Sequence, residues 1–183
     1  GWLDGMGFYD FAGSTLVHSV GGWGALAGAW LLGPRLGKYT KSGNMVPIPG
    51  SNMPLATIGV FLLWLGWFGF NGGSALAAGQ NAAMALLVTH ISAAVASLVW
   101  MIIEWRKFGR PSVVGIATGM VAGLATVTPA SGFIGVPGGI ILGLAGGYIC
   151  YVAVDLIRGK LGIDDSLDAV SYTHLTLPTR LLV

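Results

Sequence analysis

The sequence predicts an all-α protein, a polytopic transmembrane helix bundle with about five membrane-spanning helices. Hydrophobic residues make up 54% of the chain and charged residues only 9%, where an ordinary soluble domain carries roughly 25% charged residues. Mean hydropathy is +0.77. The apolar residues gather in long runs separated by turn chemistry. The 31 glycines follow no collagen-like period and sit inside the apolar runs, where small residues let helix backbones approach closely.

Runs long enough to cross about 30 Å of hydrocarbon occur at residues 10–32, 53–78, 81–105 and 133–157, with a shorter one at 112–128. The first ends at Gly33-Pro34. A proline- and glycine-rich stretch, residues 47–54, precedes the second, and Ala77-Ala78-Gly79-Gln80 separates it from the third. Thr128-Pro129-Ala130-Ser131-Gly132 divides the last two. Unpaired backbone groups are too costly in lipid for open strands, so each run is expected to be a helix, including the β-branched stretch from Val113 to Val127.

Charge orders the spans. Arg35, Lys38 and Lys41 follow the first, Arg106, Lys107 and Arg110 the third, and Arg158 and Lys160 the fifth, while the two intervening turns hold no Lys or Arg. The positive-inside rule then puts the N-terminus on the outer side of a multi-pass integral membrane protein, expected in the plasma membrane. The segment from Gly1 to Asp10 has no basic n-region and no initiator methionine, so the chain is expected to begin within a longer protein.

Other classes are poorly served. The formal charge is +2, but the basic residues lie in short loops rather than on one face, which argues against nucleic acid. Cys150 is the single cysteine; it cannot form an internal disulfide and reads as a small packing residue. No Cys/His cluster has metal-ligand spacing, and neither a phosphate-cradling loop nor a nucleophile elbow is present. Neither enzymatic machinery, nor a cofactor, nor a metal is expected.

Ionisable residues inside spans are functional candidates by default, here Asp10, His18, His90 and Asp155. His18 lies eight residues beyond Asp10, about 12 Å deeper along a helix. A neutral imidazole there could line a pathway and relay a proton, or could pack between helices through a hydrogen bond. Asp10 could cap the orphan N–H groups of the first helix or favour a cation by its field. In the second span Trp67, Phe70, Asn71 and Ser74 recur at spacings of three and four and share a face. Aromatic faces attract a desolvated cation, and a serine oxygen accepts an N–H bond from it. His90 reads as a packing histidine, with a pathway role as the alternative, and Asp155 as a partner of Arg158 at i+3. Trp2, Trp100 and Trp105 read as belt residues at membrane edges.

Four ordered segments resemble the ammonium transporter, methylammonium permease and Rh family. Asp10-Phe11-Ala12-Gly13-Ser14-Thr15-Leu16-Val17-His18 is similar to D-F-A-G-[GS]-T-x-V-H, and the segment from Gly66 to Ser74 to G-W-x-G-F-N-x-G-S. Lys107-Phe108-Gly109-Arg110-Pro111-Ser112 resembles [KR]-x-G-[KR]-P-S, and the segment from Gly123 to Gly132 resembles G-L-x-x-V-T-P-x-x-G. The resemblance implies a partial ammonium transporter fold over residues 1–168, corresponding to helices five through nine of eleven, in a homotrimer with one hydrophobic pore per subunit. It implies that ammonium, or methylammonium as its analogue, is recruited by Ser74 with Phe70 and Trp67, and that His18 is the first of two pore-lining histidines. It further implies that Asp10 and Asn71 support the site and that a regulatory protein can dock on the cytoplasmic face. A neutral gas channel of the Rh kind and an ammonium sensor module are the alternatives.

After Asp168 the family pattern continues as F-G-x-H-G, which carries the second histidine. Here the family histidine falls on Thr173, and His174 comes one residue late, turned by about 100° on a helix. Residues 169–183 are expected to be a non-family tail from a frameshift, fusion or assembly scar, and the 183-residue chain alone is expected not to conduct.

Overall fold

The computed structural model describes residues 1–46, 48 and 52–164, the side chains of residues 158 and 159 excepted. The expected tail, with Thr173 and His174, and the boundary at Asp168 lie outside the described residues. In chain order the helices are α1 (Trp2–Gly5), a π-helical turn (Ser14–Ser19) that runs into α2 (Val20–Leu32), α3 (Met53–Gly73), α4 (Gln80–Phe108), α5 (Val113–Val127), and α6 (Val136–Asp155), which ends in a second π-helical turn (Leu156–Lys160). Among the described residues there is no strand, only an isolated bridge between Tyr39 and Met45.

Helix starts and stops are set by local side chains. Asn52 caps α3 by accepting the Leu55 N–H at 2.9 Å, and Pro54 occupies its first turn. Ser112 caps α5 through the Gly115 N–H at 2.8 Å, and Gly109, at φ 76°, ends α4. Helices α3, α4 and α6 are long and apolar enough to cross a membrane. Helix α5, with 15 residues, covers only about 22 Å. It is the most enclosed of the set, which reconciles its shortness with a place inside the bundle.

Helix α4 lies at the centre, against both α5 and α6, which also touch each other, with α3 leaning on α4 and α5. Glycines make this possible. A Cβ at Gly119 would lie 2.7 Å from the Ala96 carbonyl oxygen and 2.8 Å from the Trp100 Cβ; one at Gly123 would collide with the Ser92 carbonyl. On α6, Gly143 and Gly147 approach the same Ser92 and Ala96. One stretch of α4 is thus clasped from both sides by helices with no side chain at the contact. Around this core the outer faces are apolar and exposed, as at Leu31, Leu62, Leu65, Ile141 and Ile149.

This packing corrects the expectation for Trp100. It is fully buried, over Gly119 and edge-on to Tyr151 at 5.1 Å, rather than a belt residue. Trp2 and Trp105 are exposed. Glu104, overlooked among the ionisable residues of the spans, is 1% exposed. Its carboxylate accepts the Ser112 N–H at 2.7 Å and the Ser112 hydroxyl at 3.2 Å, which ties the Lys107–Ser112 segment to the head of α5. Asp155 pairs across helices with Lys107, at 3.4 Å; the side chain of Arg158 lies outside the described residues.

At the basic end the Arg35 guanidinium grips Asp164 in a fork, Nε to Oδ2 at 2.7 Å and Nη2 to Oδ1 at 2.8 Å, and the Arg35 backbone N–H adds a third bond at 3.1 Å. Burial alone would raise the Asp164 carboxyl, but the Arg35 bonds and charge, with the charge of Lys38, outweigh it and hold the group below the usual carboxylate range. The loop after α2 is thereby fastened to the segment after α6.

Two outcomes follow from these contacts. Gly123→Val is expected to force α5 from α4 and lower the unfolding midpoint in detergent by the equivalent of about 1–3 kcal/mol. Gly66→Ala, whose Cβ meets open space, leaves the midpoint unchanged. For Asp164, a depressed pKa means that its contribution is complete above the unfolded value of about 3.9 and disappears as pH falls through the lower folded value. Asp164→Asn is expected to cost about 2–3 kcal/mol at neutral pH, and unfolding curves of the two proteins should converge as pH drops well below 4.

Candidate functional site

The site forms where the π-helical turn, α3 and the end of α5 meet. Gly13, at φ 91°, turns the chain into the π-helical segment. The Asp10 carboxylate accepts three N–H groups there, from Gly13 and Ser14 through Oδ1 at 3.1 Å each and from Leu16 through Oδ2 at 3.0 Å. Asp10 is therefore a cap, with both oxygens committed to the backbone that presents His18. The neighbouring Phe11 N–H reaches the Pro129 carbonyl at 3.0 Å. Its ring fills the space a Cβ on Gly132 would take and meets Phe133 edge-on at 5.5 Å.

His18 lies against the aromatic face of α3. Its ring stacks on Trp67 with centroids 4.9 Å apart and planes 15° from parallel, and Phe70 meets it edge-on at 5.7 Å. Its Nδ1 is 3.0 Å from the Ser14 hydroxyl. Three of the candidates, His18, Trp67 and Phe70, are thus brought into one cluster. Phe70 keeps 39% of its surface exposed. Ser74 stands one turn further along α3, where its hydroxyl donates to the Phe70 carbonyl at 2.7 Å. That bond uses its only proton and leaves oxygen lone pairs as acceptors, the role a bound N–H group requires.

Asn71 faces inward, with no exposed surface. Its Nδ2 donates to Thr89 at 2.8 Å and to Thr128 at 3.3 Å. Both threonine hydroxyls spend their protons on carbonyls, Thr89 on Ala85 and Thr128 on Leu124, each at 2.6 Å. They can only accept from Asn71, which fixes its amide orientation. Thr128 also accepts the Trp67 indole N–H at 2.7 Å, so it holds the ring that stacks on His18. Sequence reasoning included Thr128 and Ser14 in motifs without giving either a role; the spacing within one helix carries no sign of bonds to another.

His90 stands apart. It is exposed on α4, with Trp64 at 5.1 Å and Phe68 at 6.0 Å. Both rings are tilted against the imidazole, by 36° and 45°. Cys150 is half-buried in α6.

A bundle of apolar helices with an imidazole held between aromatic rings defines a multi-pass integral membrane protein. The model of the Ammonium Transporter Family matches residues 1–176, and the chain belongs to that family. It is 52% identical over 169 residues to ammonium transporter Amt1 of Archaeoglobus fulgidus, covering 92% of this chain and 41% of that protein. It is 44% identical over 168 residues to an ammonium transporter of Aquifex aeolicus, covering 92% and 38%. Among solved structures, a sensor Amt protein superposes with a TM-score of 0.89 at 39% identity, covering 96% of this chain and 44% of that one. Mep2 of Saccharomyces cerevisiae superposes at 0.81 and 36% identity, covering 96% and 40%. The chain spans about two fifths of the length of the curated relatives it matches.

Thr128→Val keeps the shape of the side chain but removes the acceptor of two buried donors. It is expected to cost about 1–3 kcal/mol in detergent unfolding and to weaken magnetic cross-peaks between the Trp67 and His18 rings. Thr128→Ser is expected to keep both.

Proposed function

We propose that this chain supplies part of the pathway of an ammonium transporter. Ammonium is recruited at the end of α3 by the Ser74 oxygen and the faces of Phe70 and Trp67, gives up its proton, and passes as ammonia along a conduit lined by His18. The observation that carries this reading is the three-ring cluster, a titratable imidazole stacked at 4.9 Å on an indole and flanked by a phenyl ring at 5.7 Å. Rings of that kind attract a small cation, while the apolar helices around them make carrying its charge further expensive. Asp10 and Asn71 support the site by fixing the backbone before His18 and the network behind Trp67.

In this reading the turns without Lys or Arg face outward and the Arg/Lys-rich loops face the cytoplasm of a plasma membrane. The parent assembles as a homotrimer and accepts a regulatory protein on the basic side. One wall of the conduit comes from segments other than residues 1–168, so the 183-residue chain does not conduct alone. The close likeness to a sensor Amt protein supports a second reading, in which the same site reports ammonium to a signalling partner.

The test is a chimera in which residues 1–164 replace the matching segment of Archaeoglobus fulgidus Amt1. In proteoliposomes it is expected to take up labelled methylammonium, with uptake lost in His18→Leu and its apparent affinity lowered several-fold in Ser74→Ala. Uptake that is absent from a folded chimera, or untouched by His18→Leu, sinks the transport reading; ammonium binding without uptake moves the balance to the sensor. Uptake by the 183-residue chain alone would overturn the incomplete conduit.

A further inference from the structure

The glycine contact sets how closely α5 lies on α4. With no side chain interlocked there, the place of α5 along α4 and its tilt fall to directional bonds. Near one end of the contact the Ser92 hydroxyl donates to the Gly123 carbonyl at 2.9 Å. Near the other, the buried Glu104 carboxylate accepts the Ser112 N–H at 2.7 Å and the Ser112 hydroxyl at 3.2 Å. Ser112 can give its proton to Glu104 because its oxygen only accepts from Gly115, at 2.8 Å. Gly115 also leaves the carboxylate its room, since a Cβ there would overlap it. The two links stand 12 residues apart on α4 and 11 apart on α5, about 18 Å and about 17 Å, so they fit one antiparallel register.

We infer that Glu104 is a positioning residue for the site at the opposite end of α5. Gly123, held by Ser92, is the pivot. Ser112 lies 11 residues to one side of it and Thr128 five to the other, so a shift at the head of α5 reaches Thr128 at about half its size and in the opposite direction. Thr128 accepts the Trp67 indole N–H at 2.7 Å, and the next carbonyl, of Pro129, accepts the Phe11 N–H at 3.0 Å. Helix α3 and the segment leading into the π-helical turn therefore take their places from a carboxylate at the far end of the bundle. Lys107, in the same connector, is engaged elsewhere: its ammonium faces Asp155 on α6 at 3.4 Å and lies over the Tyr151 ring at 5.4 Å. The consequence for transport rests on the reading above: Glu104, at the basic end, sets the position of an aromatic face that receives the cation at the other.

The Trp67 Nε1–H reports on Thr128 directly, by magnetic resonance of the 183-residue chain in lipid bilayers, its signal assigned by loss in Trp67→Phe. Glu104→Met, close in size but without the acceptors, is expected to move the proton signal upfield as the bond to Thr128 lengthens. Gly115→Ala displaces the carboxylate with every hydrogen-bonding group retained and is expected to move it the same way; it decides alone where Glu104→Met does not fold. Glu104→Gln, which keeps an oxygen for the Ser112 N–H, is expected to hold the signal near its wild-type position. Lys107→Met, at the same end but off the α4–α5 contact, is expected to leave it in place. An unmoved Trp67 signal in folded Glu104→Met or Gly115→Ala protein, even with stability lost, makes the role of Glu104 purely local and overturns the inference. A signal moved as far by Lys107→Met overturns it too. In the chimera with Amt1, a variant with a moved Trp67 signal is expected to lose apparent methylammonium affinity several-fold, and unchanged affinity overturns the link to the site. A wild-type chimera that fails to transport sinks the transport reading and leaves the Trp67 result standing.

Discussion

Glycine at positions 119 and 123 lets the backbone of α5 lie directly on α4, and the position of everything at the site hangs on where that contact leaves the end of α5. Backbone-on-backbone packing has almost no slack, because the atoms that meet are carbonyls and Cα atoms rather than flexible side chains. It fixes three groups along a few residues: the Ala125 carbonyl that takes the Ser14 hydroxyl, the Thr128 hydroxyl that takes the Trp67 indole and the Asn71 amide, and the Pro129 carbonyl that takes the Phe11 N–H. The π-helical turn and α3 both dock on these groups. A short helix buried in the bundle therefore acts as the template against which the two more exposed elements find their register.

The π-helical turn is the counterpart of that rigidity. Segments of this kind are rare and tend to lie at functional sites, and here one occupies residues Ser14–Ser19, including His18. An apolar bilayer would penalise loose N–H groups at its start. Asp10 removes that penalty by accepting three of them with one carboxylate. The same residue could have served a cation by its field, but two oxygens already engaged with backbone N–H groups make presentation of the histidine helix its first task.

Much of this could be read before the structure, and the remainder could not, for a consistent physical reason. The spans and their breaks are local properties, written in hydropathy and in turn chemistry. The shared face of Trp67 and Phe70 was legible through their spacing, and His18 was singled out by its place in a span and by the family resemblance. What depends on a second helix was not. Trp100 reads as an edge residue until Gly119 is seen to leave room for it in the core. Glu104 draws no notice in the sequence, and its role appears only where Ser112 folds back to bond it. Arg35 and Asp164, 129 residues apart, meet only because the bundle brings the ends of the first and last spans together. The π-helical register at Ser14 has no signature in hydropathy, since the same residues would be apolar enough for an α-helix.

The three-ring cluster also explains why attraction alone is an insufficient mechanism. A cation over an aromatic face gains about 0.5–2 kcal/mol, the upper figure only where the ring is desolvated, whereas taking an ion out of water costs several kcal/mol even after the protein relaxes around it. Under the transport reading, Phe70 and Trp67 concentrate a cation where water still reaches it and do not carry it through the apolar helices behind. In that reading ammonium would escape the limit by leaving a proton, and potassium, drawn to the same rings, has none to leave. Selectivity under the transport reading therefore belongs to the point at which the proton is given up, next to the one ring in the cluster that can accept hydrogen bonds.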